Sequence, residues 1–223
     1  MSKRQRGVHS PPIAKMVLLG NEGVGKSALM VRFFTRRFIG EYDPTLESTH
    51  RRHLGIGNST MIIDMKDTAG ENDTQRREID FVWGDVFVLV YSIIDRKSFQ
   101  EIQKLRKVIE MMRGPNTTFV VIGNKKDLSH LREVSKEEGK KWAEKHNALF
   151  FEISVAEDYH ETQKVFNEII RYIICQKARE ESTTGKKRNH SYSSLWKGMK
   201  SRDQKDKKHE HVIHIQSSGG YSS

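Results

Sequence analysis

The stretch that most constrains this chain is Gly20-Asn21-Glu22-Gly23-Val24-Gly25-Lys26-Ser27. It follows an apolar run, Ile13 to Leu19, and opens a segment of helical period from Lys26 to Thr35. A GxxxxGKS pattern between a strand and a helix is a phosphate cradle. Its successive backbone N–H groups point at an anion, and the helix dipole adds to the attraction. Lys26 is expected to reach the β- and γ-phosphates, and the Ser27 hydroxyl to ligate Mg²⁺. The loop specifies a nucleoside triphosphate and leaves the base to be read elsewhere.

The rest of the chain agrees with such a loop. Short runs rich in Val and Ile alternate with helical segments, which predicts an α/β fold built on a mostly parallel sheet. Six strands are expected, at Ile13–Leu19, Ser48–Gly55, Thr60–Met65, Val86–Ser92, Thr118–Gly123 and Leu149–Ile153. A Gly-Asn-Ser turn at Gly57 to Ser59 makes the second and third an antiparallel edge hairpin, so the sheet should be mixed. About five helices are expected, at Lys26–Thr35, around Arg76–Asp80, and at Arg96–Arg113, Ser135–Asn147 and Glu161–Gln176. Ser135 followed by Glu138 is a capping-box pattern.

Two further loops carry base and metal chemistry. Asn124-Lys125-Lys126-Asp127 follows the buried run Phe119 to Gly123. A carboxylate there can accept from both N1–H and the 2-amino group of guanine. Adenine offers neither donor and would leave the charge unpaired, so Asp127 argues against an ATPase or kinase. Asp67-Thr68-Ala69-Gly70 ends the third strand, placing Asp67 to hold Mg²⁺ through a water and the Gly70 N–H to meet the γ-phosphate. Thr45, in Tyr42-Asp43-Pro44-Thr45, lies between the first loop and this one.

With these motifs in this order, the chain resembles the Ras superfamily of small GTPases from Ile13 to Gln176, a P-loop NTPase fold called the Ras-like G domain. The run Phe38 to Ser48, together with Arg77-Glu78 and Trp83-Gly84, is most similar to the Ras-related, oestrogen-regulated growth inhibitor group. The resemblance implies that Phe38 packs edgewise on guanine and that Tyr42, Pro44 and Thr45 belong to a first switch, with Thr45 on Mg²⁺. It implies that Ser154-Val155-Ala156 forms the last base-contacting loop and that Asp67 to about Asp80 is a second switch. Nucleotide contacts are thus expected from Glu22, Gly23, Val24, Gly25, Lys26, Ser27, Ala28, Phe38, Tyr42, Pro44, Thr45, Gly70, Asn124, Lys125, Asp127, Ser154, Val155 and Ala156. Lys26, Thr45, Gly70 and Glu71 are the expected catalytic set, with Mg²⁺ as cofactor. Partners implied are GTP and GDP, effectors, exchange factors and GTPase-activating proteins, on a monomer.

The chain departs from the Ras pattern at four positions. Glu22 stands where Ras has a glycine beside the γ-phosphate, and Glu71 where Ras has the glutamine that orients the attacking water. Both put acid near the most anionic part of the ligand, so slow hydrolysis is expected. The alternative is a guanine-nucleotide-binding interaction protein with negligible turnover. Val155 and Ala156 replace the alanine and lysine that the family places against the base, which predicts weaker nucleotide affinity.

Charge divides the chain. Of the net +10, residues 1–10 carry +3 and residues 176–223 carry +6, leaving the middle near neutral. The reading is a basic disordered arm at 1–12, a GTPase domain at 13–177 with its boundary near Ala178, and a basic, mostly disordered tail at 178–223. Within the tail, Leu195, Trp196 and Met199 among Lys197, Lys200 and Arg202 could form a short basic amphipathic helix for an anionic membrane surface or a calmodulin-like partner. Disorder is the favoured expectation there. His209, His211 and His214 have no fixed geometry for a metal. The one cysteine, Cys175, excludes an intramolecular disulfide and falls opposite Phe166, Ile169, Ile170 and Ile173, so it should be exposed. The end Gly219-Gly220-Tyr221-Ser222-Ser223 has no CaaX cysteine, so no prenyl anchor is expected. A cytoplasmic location, extending to the nucleus or a weak membrane association, fits these features, and nothing suggests specific nucleic-acid recognition.

Overall fold

The computed structural model describes residues 11–36, 48–56, 59–68, 74–184 and 192–199. In chain order the elements are β1 (Ile13–Leu19), α1 (Lys26–Thr35), β2 (Ser48–Ile56), β3 (Ser59–Asp67), α2 (Thr74–Trp83) and β4 (Val86–Ser92). They continue with α3 (Arg96–Arg113), β5 (Thr118–Asn124), α4 (Lys136–Lys145), β6 (Leu149–Glu152) and α5 (Tyr159–Thr184). All six expected strands form one mixed sheet in the order β2-β3-β1-β4-β5-β6. The parallel pairs run in register, with Leu19 opposite Leu89, Ser92 opposite Asn124, and Gly123 opposite Glu152.

This order places the site. β1 lies between β3 on one side and β4 on the other, the point where the strand order reverses, and in open α/β sheets ligands bind at the carboxyl ends of the strands at such a point. β4 is buried along its whole length, as its unbroken apolar run requires of a strand covered on both faces. On one side its odd-numbered residues Phe87, Leu89 and Tyr91 pack in a core with Val17, Phe99, Ile102 and Val121, with Trp142 and Phe150 at its edge.

Helix starts follow the local chemistry. Asp95 caps α3 by accepting from Lys97 N and Ser98 N, at 2.9 and 3.2 Å. Ser135 caps α4, accepting from Glu138 N at 3.1 Å as the capping pattern predicts.

The described residues divide into two compact units, one of 14–36, 48–52, 63–68 and 74–170, the other holding 11–13, 53–56, 59–62, 171–184 and 192–199. The expected boundary near Ala178 falls within this second unit, inside α5. Helix α5 continues to Thr184, because Ala178 extends its apolar stripe and is itself buried. A sixth helix, α6 (residues 192–199), stands where the tail was expected to lack structure, and its Leu195 and Met199 are buried. Cys175 is half-buried and not exposed, since Ile174 and Ala178 widen the buried stripe up to its margin. Among the described residues no helix is long and apolar enough to cross a membrane.

Candidate nucleotide-binding site

The glycines of the first loop are there for steric reasons. Gly20 has φ +148°, and a Cβ on it would collide with the Val90 carbonyl, so the loop can leave β1 this tightly only without a side chain. Gly25, at φ +100°, starts α1 in the left-handed region, and a Cβ there would strike the Asn124 side chain. No side chain caps this helix, which leaves its N-terminal dipole directed at the loop. Lys26 is buried, and its Nζ donates to the Asn21 carbonyl at 2.8 Å. Glu22 and Gly23 are exposed at the loop rim, Ala28 is half-buried and Val24 is buried.

Asn124 joins three segments. Its Nδ2 donates to the Val24 carbonyl at 2.8 Å, and its Oδ1 accepts from Val155 N at 3.1 Å. The side chain is 1% exposed, so both bonds replace lost water and neither amide group is orphaned. Lys125 follows with φ +66°, a conformation unfavourable for a side-chain-bearing residue, and turns the chain into a short 3-10 helix, Lys126–Leu131. That helix was not expected. It puts Asp127 in a first turn, half-buried, three residues beyond the end of β5. Ser154 is fully buried, while Ala156 is exposed. The Val155 N–H, bonded to Asn124, therefore holds the loop shape and is not a spare donor for a base.

Asp67 ends β3 at 2% exposure and its Oδ1 has no hydrogen-bond partner. Burial pushes its carboxyl above the ordinary carboxylate range, and a hydrogen bond from Ser27 with the charges of Lys26 and His50 pulls the other way. A buried carboxylate oxygen left unpaired beside a hydroxyl and an ammonium is a poor structural choice and a good cation ligand, so the donor set fits Mg²⁺. Next to it, Thr68 Oγ1 donates to the Leu18 carbonyl at 2.7 Å and holds the end of β3 to β1.

The structure thus brings together the first loop, Asn124, Ser154 and Val155, and sets Asp67 against Ser27. Phe38, Tyr42, Pro44, Thr45, Gly70 and Glu71 lie outside the described residues, as do His209, His211 and His214.

Three participants escaped sequence reasoning. Glu161 accepts from Lys126 Nζ at 2.9 Å with one oxygen and from Ser154 N at 3.4 Å with the other, joining the two base-side loops. This pairing also raises the Lys126 pKa. Arg32, on the otherwise apolar side of α1, donates to the Glu157 carbonyl at 2.9 Å. The Asn21 carbonyl holds Lys26. Only Glu161 left a signal, an acid in the first turn of the helix after the last loop.

Comparison with known proteins agrees with this arrangement. The model of the Ras family matches residues 15–175. The "Ras-related and estrogen-regulated growth inhibitor" of Homo sapiens is 43% identical over 178 residues, covering 79% of this chain and 87% of that protein. The Bos taurus protein of the same name matches to the same extent. "GTP-binding protein Rit1" of Mus musculus is 38% identical over 189 residues, covering 84% of this chain and 85% of its own.

Proposed function

The chain belongs to the Ras family of small GTPases, and on that premise we propose that it is a binding switch controlled by GTP and GDP, with slow hydrolysis. The observation that carries the proposal is the Asn124 side chain, which ties the phosphate loop to the last base-side loop through Val24 and Val155. Guanine is read by Asp127, the phosphates are held by Lys26 and the loop N–H groups, and Phe38 covers the base. Ser27 and Thr45 would hold Mg²⁺, with Asp67 reaching it through a water. The ion would supply charge neutralisation between the β- and γ-phosphates. Thr45 and Gly70 sense the γ-phosphate, so its loss frees the segments around them and changes the surface offered to effectors.

Glu71 follows Gly70 and can accept a proton but, ionised, cannot donate to the γ-phosphate as a glutamine amide does. Glu22 is exposed at the loop rim, where an incoming arginine of an activating protein would pass. Glu71→Gln is expected to raise single-turnover phosphate release by about tenfold or more. An unchanged rate would reject Glu71 as the cause of slow turnover. The same two acids favour a second reading, a guanine-nucleotide-binding interaction protein without turnover. In that case nucleotide released from the purified protein is guanine nucleotide, but neither the wild type nor Glu71→Gln produces phosphate.

Effectors, exchange factors and activating proteins are the expected partners of a monomer. The edge strand β2 carries His50, Arg51, Arg52 and His53, with Arg51 fixed by paired bonds to Asp64 at 2.6 and 2.7 Å. The basic tail suits an anionic membrane surface, and a cytoplasmic protein that visits it is the proposed setting.

A further inference from the structure

An eight-residue helix is too short to persist in water on its own, because nucleation outweighs the few bonds it adds. Helix α6 nevertheless exists, and two features of its own compact unit account for it. The first is a cap supplied from a distance: the Glu181 carboxylate, on α5, accepts from Tyr192 N at 3.0 Å, Ser193 N at 3.1 Å and Ser193 Oγ at 3.1 Å. These are the orphan donors of a helix start, and the negative charge also meets the positive end of the dipole. The second is burial, since Leu195 is 1% and Met199 8% exposed. Tyr192 Oη adds a bond to the Ile13 carbonyl at 2.9 Å.

Leu195 and Met199 are one turn apart on one face, while Lys197 points away and is exposed. The sequence continues with Lys200 and Arg202 and is preceded by Lys186, Lys187 and Arg188. A helix with two buried apolar residues, an adjacent tryptophan and flanking cations has the composition of an interfacial lipid-binding segment. Its apolar face, however, is already occupied. A leucine cannot be buried in protein and in acyl chains together, so docking and lipid binding compete, and lipid shifts the balance only by its preference for the released form.

We propose that Glu181 is the latch of an intramolecular clasp that stores a membrane-binding helix, and that its release delivers Leu195, Trp196, Met199 and the flanking cations to an anionic lipid surface. The proposal rests on reading the basic tail as facing such a surface, and it is independent of the nucleotide chemistry.

The test uses the full chain loaded with nucleotide, phosphatidylserine-containing vesicles, and vesicles of phosphatidylcholine alone. Glu181→Ala is expected to remove hydrogen-exchange protection from residues 192–199 and to raise partition onto the anionic vesicles by about fivefold, the size of a lost cap. Glu180→Ala makes the same charge change one residue away, where the side chain pairs with Lys177, and is expected to leave both readings at the wild-type level. Adding Leu195→Ser and Met199→Ser to Glu181→Ala should abolish the gain. Retained protection in Glu181→Ala would overturn the clasp itself. Lost protection without increased partition would overturn the lipid partner while leaving the clasp standing. An equal gain on neutral vesicles would overturn the role of the cations.

Discussion

On the base side of the site, Asn124 spends both amide groups on protein partners, Val24 and Val155, and is 1% exposed. On the phosphate side Asp67 is 2% exposed and leaves Oδ1 without a partner. The two residues are equally buried and treated in opposite ways. A satisfied polar hub fixes the shape of its loops whether or not ligand is present. An unsatisfied carboxylate is unfavourable until a ligand arrives, so it makes that half of the site depend on what is bound. On the proposed reading, the base half is preorganised by the fold and the phosphate half is completed by its ligand.

The largest expected effect comes from breaking the preorganised half. Asn124→Ala leaves the Val24 carbonyl and Val155 N–H buried without partners, a loss of about 2–4 kcal/mol. GDP affinity should fall by roughly a hundredfold or more, and the nucleotide-free protein should melt at a lower temperature. Fluorescent-nucleotide titration and thermal denaturation check both. An unchanged melting temperature would mean that the hub forms only around the ligand.

The second substitution should move stability and function in opposite directions. Asp67→Asn removes a charge that burial opposes, so the nucleotide-free protein should gain about 1–2 kcal/mol at neutral pH. The same variant should lose the ability of Mg²⁺ to slow GDP release. Melting curves and release rates with and without the ion test the pair, and a destabilised Asp67→Asn would contradict the idea of a half completed by ligand.

The smallest effect asks whether every buried orphan signals a ligand. Tyr91 Oη is also buried without a partner, beneath the base side, where Gly123 and Gly139 leave it room. Burial, then the charge of Glu152, pushes its phenol well above the ordinary tyrosine range. An acid whose pKa is raised by folding contributes stability that is fully present below its unfolded pKa and is lost as pH rises above about 10. Tyr91→Phe should therefore gain about 1 kcal/mol or less at neutral pH, flatten the alkaline loss and leave GDP affinity unchanged. Reduced affinity in that variant would make Tyr91 part of the base half.

Much of this was legible in the sequence because its signals are local. The first loop needs glycine where backbone meets Val90 and Asn124, and that need is visible as Gly20 and Gly25. Period-two and period-3.6 patterns gave the six strands and the main helices, and Ser135 marked the start of α4. What failed were the contacts made at a distance. Lys126 and Glu161 are 35 residues apart and meet only because β5 and β6 are adjacent. The tail's polar composition and fading periodicity favour disorder over a short helix, because an eight-residue helix has no local reason to form.

The sequence by itself determined the family and the sheet, and it supplied the proposal for the phosphate and base loops, since these depend on backbone conformation and on chemistry packed into short motifs. Only the tertiary structure decided that Asn124 is the hub, that Val155 spends its N–H inward, that one oxygen of Asp67 stays without a partner, and that Glu181 caps a helix eleven residues ahead. Each of these depends on which distant groups share a desolvated space. That is set by how the whole chain packs, and a local pattern does not record it.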